Sequence, residues 1–64
     1  MMPIRKLKAL RAENDLTQAE MAEKLNMSEA TYRSRENGKT EFTVSEINRI
    51  IKKFDVKYED IFLD

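Results

Sequence analysis

Apolar residues along this chain recur at three- and four-residue spacing, which is the signature of helices buried on one side. Ile4, Leu7 and Leu10 mark a first helix from about Pro3 to Glu13. A proline suits its first turn, where the missing N–H costs nothing. Asn14-Asp15 ends it, Asn being able to take the left-handed conformation of a C-cap. Met21, Ala22 and Leu25 give a second helix from Gln18 to Leu25, opened by a Thr17/Glu20 capping box and closed at a turn, Asn26-Met27. Ser28 is the N-cap of a third, Glu29 to Glu36 or Asn37, and Gly38 stands where a C′ residue with positive φ is needed. A Thr43/Glu46 box opens a fourth helix, Val44 to Phe54, whose stripe Val44, Ile47, Ile50, Ile51 and Phe54 reads as core. Tyr58 to Phe62 forms one or two further turns without a capping residue at position 57, with Ile61, Phe62 and Leu63 closing the core. No run alternates with period two, so the expectation is all-α.

The stretch from Thr17 to Gly38 is the part around which the remainder is arranged. Two short helices joined by a tight turn make a helix-turn-helix, and the flanking helices read as its scaffold. On the third helix, positions 29, 30, 33, 34 and 37 share one face, while Tyr32 and Glu36 point to the core. The outward face is polar and rimmed by cations, which suits a major groove. There Arg33 reaches a guanine O6/N7 edge, or a phosphate, and Glu29 accepts from a cytosine amine. The bland alternative is a Glu29–Arg33 surface pair worth about 0.2–0.5 kcal/mol, expected in the free protein. Gln18, at a helix N-terminus, is either an exposed residue or a phosphate contact. Asn37 and Lys39 are phosphate contacts or solvated loop residues; Arg35 grips phosphate or covers apolar surface with its stem. Phe42 packs beneath the loop or sits beside DNA.

Composition narrows the function further. Sixty-four residues amount to one small domain, spanning 1–64, with a marginal core. There is no cysteine or histidine, so disulfides, thiolate chemistry and the usual zinc ligands are out. The carboxylate pairs Glu20/Glu23 and Glu59/Asp60 match capping and solvent-facing patterns, without a nucleophile–base set or phosphate loop, so neither enzyme nor cofactor is expected. The four methionines read as core filler rather than metal ligands. No apolar run reaches the ~18 residues of a membrane span, and no signal peptide is visible, which points to the cytoplasm. Net charge is zero, 12 basic against 12 acidic residues. Nucleic-acid-binding domains are usually basic, but Arg5, Lys6, Lys8 and Arg11, then Arg33, Arg35 and Lys39, cluster where the local field counts.

The segments L-x-x-x-L-T-Q-x-E-M-A and E-N-G-K-T, spaced as they are here, resemble the Cro/lambda-repressor (XRE) type of helix-turn-helix across nearly the whole chain. The resemblance implies five short helices with the second and third forming the reading unit. It also implies double-stranded operator DNA as partner, and bacterial or phage transcription control, most often repression. By position it makes Gln18 a phosphate contact bridging to the third helix. Ser28, Glu29, Ala30, Thr31, Arg33 and Ser34 face the major groove, and Arg35, Asn37, Lys39 and Thr40 lie at the phosphates. Arg11 and Glu36 fall where many members hold a structural ion pair. There are three departures from the family: Asn26 replaces the usual turn glycine, Arg35 a usual apolar residue, and Glu29-Ala30 the usual hydrogen-bonding residues. Family dimers often use the C-terminal region, which nominates Tyr58, Phe62 and Leu63 for a homodimer. No effector domain is expected within these 64 residues.

A rival reading keeps the fold and changes the partner. The same module, as an antirepressor or modulator, would bind another regulator protein. Zero net charge and Glu29 on the reading face favour it; a positive band across Gln18, Arg33, Arg35 and Lys39 favours DNA.

Overall fold

The computed structural model describes residues 2–63. Among them lie five helices and no strand: α1 (Arg5–Glu13), α2 (Gln18–Lys24), α3 (Glu29–Glu36), α4 (Val44–Phe54) and α5 (Tyr58–Phe62). α2 packs on α3, and α5 returns against α1. Thr17 and Thr43 form the two capping boxes, and Ser28 accepts from the Thr31 N–H at 3.2 Å. α5 starts at Lys57 without a side-chain cap; instead the Asp60 carboxylate accepts from the Lys57 N–H at 3.1 Å.

Four helix ends share one solution. Asp15, Asn26, Gly38 and Asp55 each take positive φ. The N–H of the next residue then donates five residues back: Leu16 to Arg11, Met27 to Ala22, Lys39 to Ser34, Val56 to Ile51. The left-handed residue thus satisfies carbonyls that the ending helix leaves open. Short polar side chains tolerate that conformation, so three of the four turns do without glycine. At the end of α1 the left-handed residue is Asp15; Asn14, the residue expected to take this role, has φ −99°. Its amide instead donates to the Leu10 carbonyl at 2.8 Å.

Leu7, Met21, Ala22, Leu25, Tyr32, Ile50 and Ile61 are the buried apolar core. Each large side chain among them contributes about 1.5–3 kcal/mol by leaving water. Several expectations need correction. α1 begins at Arg5 rather than Pro3, because the Ile4 N–H is taken by the Glu36 carbonyl at 3.0 Å and Ile4 becomes the N-cap. Leu25 is the C-cap of α2 rather than its last residue. Val44 does not belong to the core stripe: it is 75% exposed, because it is the first residue of α4 and has no turn beneath it. Leu63 is 52% exposed and lies beyond the end of α5, so Ile61 closes the core without it. Met21 fills core and Met27 packs partly against it, whereas Met2 is exposed; Met1 lies outside the described residues. Phe42 packs beneath the loop, edge-on to Tyr32 and to Phe62 with centroids at 6.4 and 5.7 Å.

Candidate nucleic-acid interface

α3 has two chemically distinct faces. Tyr32 and Glu36, one turn apart, are fully buried. Glu36 Oε2 accepts from Arg11 Nε at 3.0 Å and Oε1 from Arg11 Nη2 at 3.1 Å. The Tyr32 hydroxyl donates to the same carboxylate, and Gln18 Nε2 donates to Oε1 at 3.1 Å. Burial alone would push the Glu36 carboxyl up. The donated hydrogen bonds from Arg11, Tyr32 and Gln18 outweigh that and hold it below the usual carboxylate range. Burial, reinforced by the Glu36 charge, pushes the Tyr32 phenol well up, so it stays a donor. Arg11 Nη1 also donates to the Leu16 carbonyl at 2.9 Å, tying the end of α1 to the approach of α2. One buried carboxylate therefore joins α1, α2 and α3, and it fixes the angle at which α3 stands on its scaffold.

The opposite face of α3 is open. Ser28, Glu29, Ala30 and Arg33 are exposed, and Thr31 is half-buried. The Arg33 guanidinium pairs with Glu29 one turn back, and its Nε donates to Gln18 Oε1 at 3.2 Å. The Ser28 hydroxyl both caps the helix and donates to the Thr31 hydroxyl at 2.9 Å. α5, at the chain's far end, lies against α1 rather than across this face.

The loop after α3 is held by its own hydrogen bonds. Ser34 Oγ and Thr40 Oγ1 lie 3.0 Å apart, and the N–H groups of Lys39 and Thr40 donate to the Ser34 carbonyl at 2.9 and 3.3 Å. Asn37 caps α3, and the exposed Lys39 forms no ion pair among the described residues. The chain start supports this loop from behind. The Met2 backbone occupies the space where a Gly38 side chain would be, and Gly38 has φ +82°.

Arg35 is engaged within the protein rather than standing free. Its Nε donates to Glu46 at 2.9 Å, its Nη1 to the Thr40 hydroxyl at 2.7 Å, and the pair with Glu46 is mostly buried. Glu46 also accepts from the Thr43 N–H at 2.9 Å, so one carboxylate caps α4 and clamps α3. The reason lies in the helix period: position 35 faces the α4 side of α3, away from positions 29, 30 and 33. Two further groups had no sequence signal for their long-range ties. Glu46 read as a capping residue only, and Arg49, whose Nη1 donates to the Leu25 carbonyl at 3.1 Å, was not singled out. Both act across long sequence separations, which local patterns do not record.

A family model described as "Helix-turn-helix" matches residues 7–61. The chain belongs to the helix-turn-helix family. An HTH-type transcriptional regulator of Methanocaldococcus jannaschii, itself described as uncharacterized, is 43% identical over 58 residues, covering 91% of this chain and 88% of the relative. No solved structure matches the chain. Among the described residues of this helix-turn-helix protein, no helix is long and apolar enough to cross a membrane.

Proposed function

We propose that this helix-turn-helix protein is a repressor of the Cro type, acting in the cytoplasm on double-stranded operator DNA with α3 in the major groove. Membership of the family makes it a sequence-specific DNA-binding regulator of transcription; the proposal adds the mode and the residues. The observation that carries it is the open polar face of α3. An α-helix with its side chains is about 10–12 Å across, close to the ~12 Å width of the major groove, and among the described residues Ser28, Glu29, Ala30 and Arg33 are exposed.

In this reading Arg33 and Glu29 exchange their mutual pair for base edges, with Ala30, Thr31, Ser34 and Ser28 fitting the groove wall. Asn37, Lys39 and Thr40 meet one phosphate strand in a loop already ordered before binding. Gln18 has one amide hydrogen left after its bond to Glu36, enough for one phosphate oxygen. Arg35, spent on Glu46, supports α3 from behind. The molecule's longest extent is 25 Å, shorter than the ~34 Å between half-sites one helical turn apart. Reading a palindromic operator therefore takes two copies. Tyr58, 47% exposed and stacked on Phe62 at 5.2 Å, and Leu63 offer apolar surface for that contact.

Selection from a random double-stranded library, followed by binding of the winning sequence at several salt concentrations, tests the reading. Enrichment of a defined half-site and a negative salt slope are expected. No enrichment, or specific binding without a salt slope, would reject it. The second reading, a module that binds another regulator, is favoured by one observation: pairing with Glu29 and Glu46 neutralises Arg33 and Arg35, leaving Lys39 as the cation beside this face. It predicts no enrichment of any DNA sequence.

A further inference from the structure

The Arg35 and Glu46 side chains retain only 19% and 13% exposure, and their pair joins α3 to α4. A desolvated ion pair of this kind adds little net stability, because apolar residues of similar volume would fill the same space without taking two charges out of water. What an apolar residue could not do is donate. Arg35 Nε and Nη2 donate to the two Glu46 oxygens at 2.9 and 3.5 Å, and in that orientation Nη1 reaches the Thr40 hydroxyl at 2.7 Å. A guanidinium has no acceptor, so Thr40 Oγ1 must accept there and its own hydrogen points elsewhere. Ser34 Oγ lies 3.0 Å from the same oxygen, and one bond between two hydroxyls uses one of their two hydrogens. The other hydrogen has no partner in this cluster, whose outer member, Thr40, is exposed.

We infer that Arg35 is a positioning residue for the phosphate grip: held by Glu46 on α4, it fixes the Thr40 hydroxyl as an outward hydrogen-bond donor. The inference rests on the proposed reading of the loop after α3 and deepens it. With a phosphate oxygen beside the loop, Ser34 donates to Thr40 and Thr40 donates to the phosphate. Thr40 Oγ1 then accepts two bonds and gives one, which is the full capacity of a hydroxyl. Bonds donated into an oxygen strengthen the bond that its own hydrogen makes, and one of the two comes from a cation. The charge of Arg35 is therefore felt at the phosphate without the guanidinium leaving Glu46. Without Arg35, the backbone bonds from Lys39 and Thr40 to the Ser34 carbonyl remain. The Thr40 side chain, however, is free to turn about χ1, and its hydroxyl no longer has a fixed direction.

The test compares wild type, Arg35→Leu/Glu46→Gln, Thr40→Val and the triple variant on the selected operator and on each of its single-base variants. An amide at position 46 keeps the cap of α4, since glutamine serves in capping boxes as glutamate does, and no charge is stranded. The double variant is expected to melt at or above the wild-type temperature. It should nevertheless bind every sequence about fivefold more weakly, with base preference and salt slope unchanged. Thr40→Val should weaken binding by a similar factor in wild type and add nothing in the double variant. Unchanged affinity, losses that multiply, or a loss confined to one base pair would overturn the inference. So would a salt slope reduced by about one contact, which would put the guanidinium itself on a phosphate. Side-chain couplings of Thr40, measured by NMR without DNA, are a separate readout. One χ1 rotamer is expected in wild type and averaging in the double variant; averaging in wild type, or one rotamer in both, overturns the inference outright. Should the double variant fail to fold, Arg35→Gln/Glu46→Gln leaves one donor nitrogen at position 35 in place of three, and the same binding outcomes apply. If no DNA sequence is enriched while Thr40 keeps one rotamer in wild type and loses it in the double variant, the DNA reading fails. The phosphate role then falls with it, although the tie itself stands.

Discussion

Among the described residues, α3 takes part in three arginine–glutamate pairs, and the innermost and outermost of them, Arg11–Glu36 and Glu29–Arg33, have the same chemistry while their surroundings differ. Glu36 has no exposed side-chain surface and its partner Arg11 retains 21%; Glu29 and Arg33 retain 47% and 52%. The inner pair is bidentate, and Tyr32 and Gln18 supply further bonds to the same carboxylate. The outer pair stands in water, where screening leaves little of its Coulomb attraction. An ion pair that is desolvated and fully hydrogen-bonded fixes geometry, because either partner alone would be stranded. One that is solvated costs little to open, so its members remain available to a ligand. One helix thus uses the same residue types to hold its position and to present exchangeable groups. The environment, rather than residue identity, assigns the task.

The most direct way to break this comparison is to delete each arginine in turn. Arg11→Ala leaves Glu36 charged and buried with two neutral donors, and is expected to cost about 3 kcal/mol. In a chain of this size that is a large share of total stability. Denaturant unfolding monitored by circular dichroism should show Arg11→Ala far below both wild type and Arg33→Ala. Equal midpoints for the two variants would mean that burial does not separate the pairs.

The inner side of α3 also includes its C-terminal end, where the chain start is fastened. Gly38→Ala forces a β-carbon into the Met2 backbone at φ +82°. Its cost is expected to be about 1–3 kcal/mol. The Ile4 N–H, bonded to the Glu36 carbonyl at 3.0 Å, should then lose hydrogen-exchange protection. An unchanged Ile4 exchange rate would show that the strap and the loop are independent, and the comparison would shrink to side chains alone.

Acid sharpens the contrast further. The folded Glu36 carboxyl titrates below its unfolded value of about 4.3. Its contribution is complete above that value and is lost as pH falls through the lower folded one. Glu46, whose burial is outweighed by hydrogen bonding from Arg35, shifts in the same direction. Wild type should therefore lose melting temperature as pH falls below the unfolded carboxyl value of about 4.3. Glu36→Gln starts lower at neutral pH and should fall less. Parallel pH curves for the two proteins would remove Glu36 from the account of acid stability.

Much of this architecture is readable from local pattern. Helix starts are written in Thr17/Glu20, Ser28 and Thr43/Glu46 because capping operates over three residues. The inward turn of Tyr32 and Glu36 follows from the helical period. Helix ends were less legible, since Asp15 and Asn14 are both competent for a left-handed turn and only the bond from Leu16 to Arg11 decides between them. Least legible were ties between distant elements. Arg35 could be placed on a face of α3, but its partner Glu46 already had a sufficient local explanation as a cap. Gln18 was visible at its helix start, whereas its double engagement depends on how α2 and α3 meet. Val44 and Leu63 show the opposite limit: apolar character at a helix end does not guarantee that anything packs over it.

The smallest stability effect belongs to the outer pair, and it is the most informative about function. Arg33→Ala removes an exposed i,i+4 pair and one bond to Gln18, so about 0.2–0.5 kcal/mol is expected. Water replaces the guanidinium at Gln18 and Glu29, both of which can be solvated. Against that, the loss of base discrimination at one operator position should be about 1–3 kcal/mol. Lys39→Ala should weaken all sequences alike and lower the salt slope by about one contact. A variant that barely changes folding yet changes which DNA is chosen marks a residue kept for exchange. If Arg33→Ala instead unfolds the protein while leaving base preference unchanged, the outer face is structural, and the division of labour across α3 is wrong.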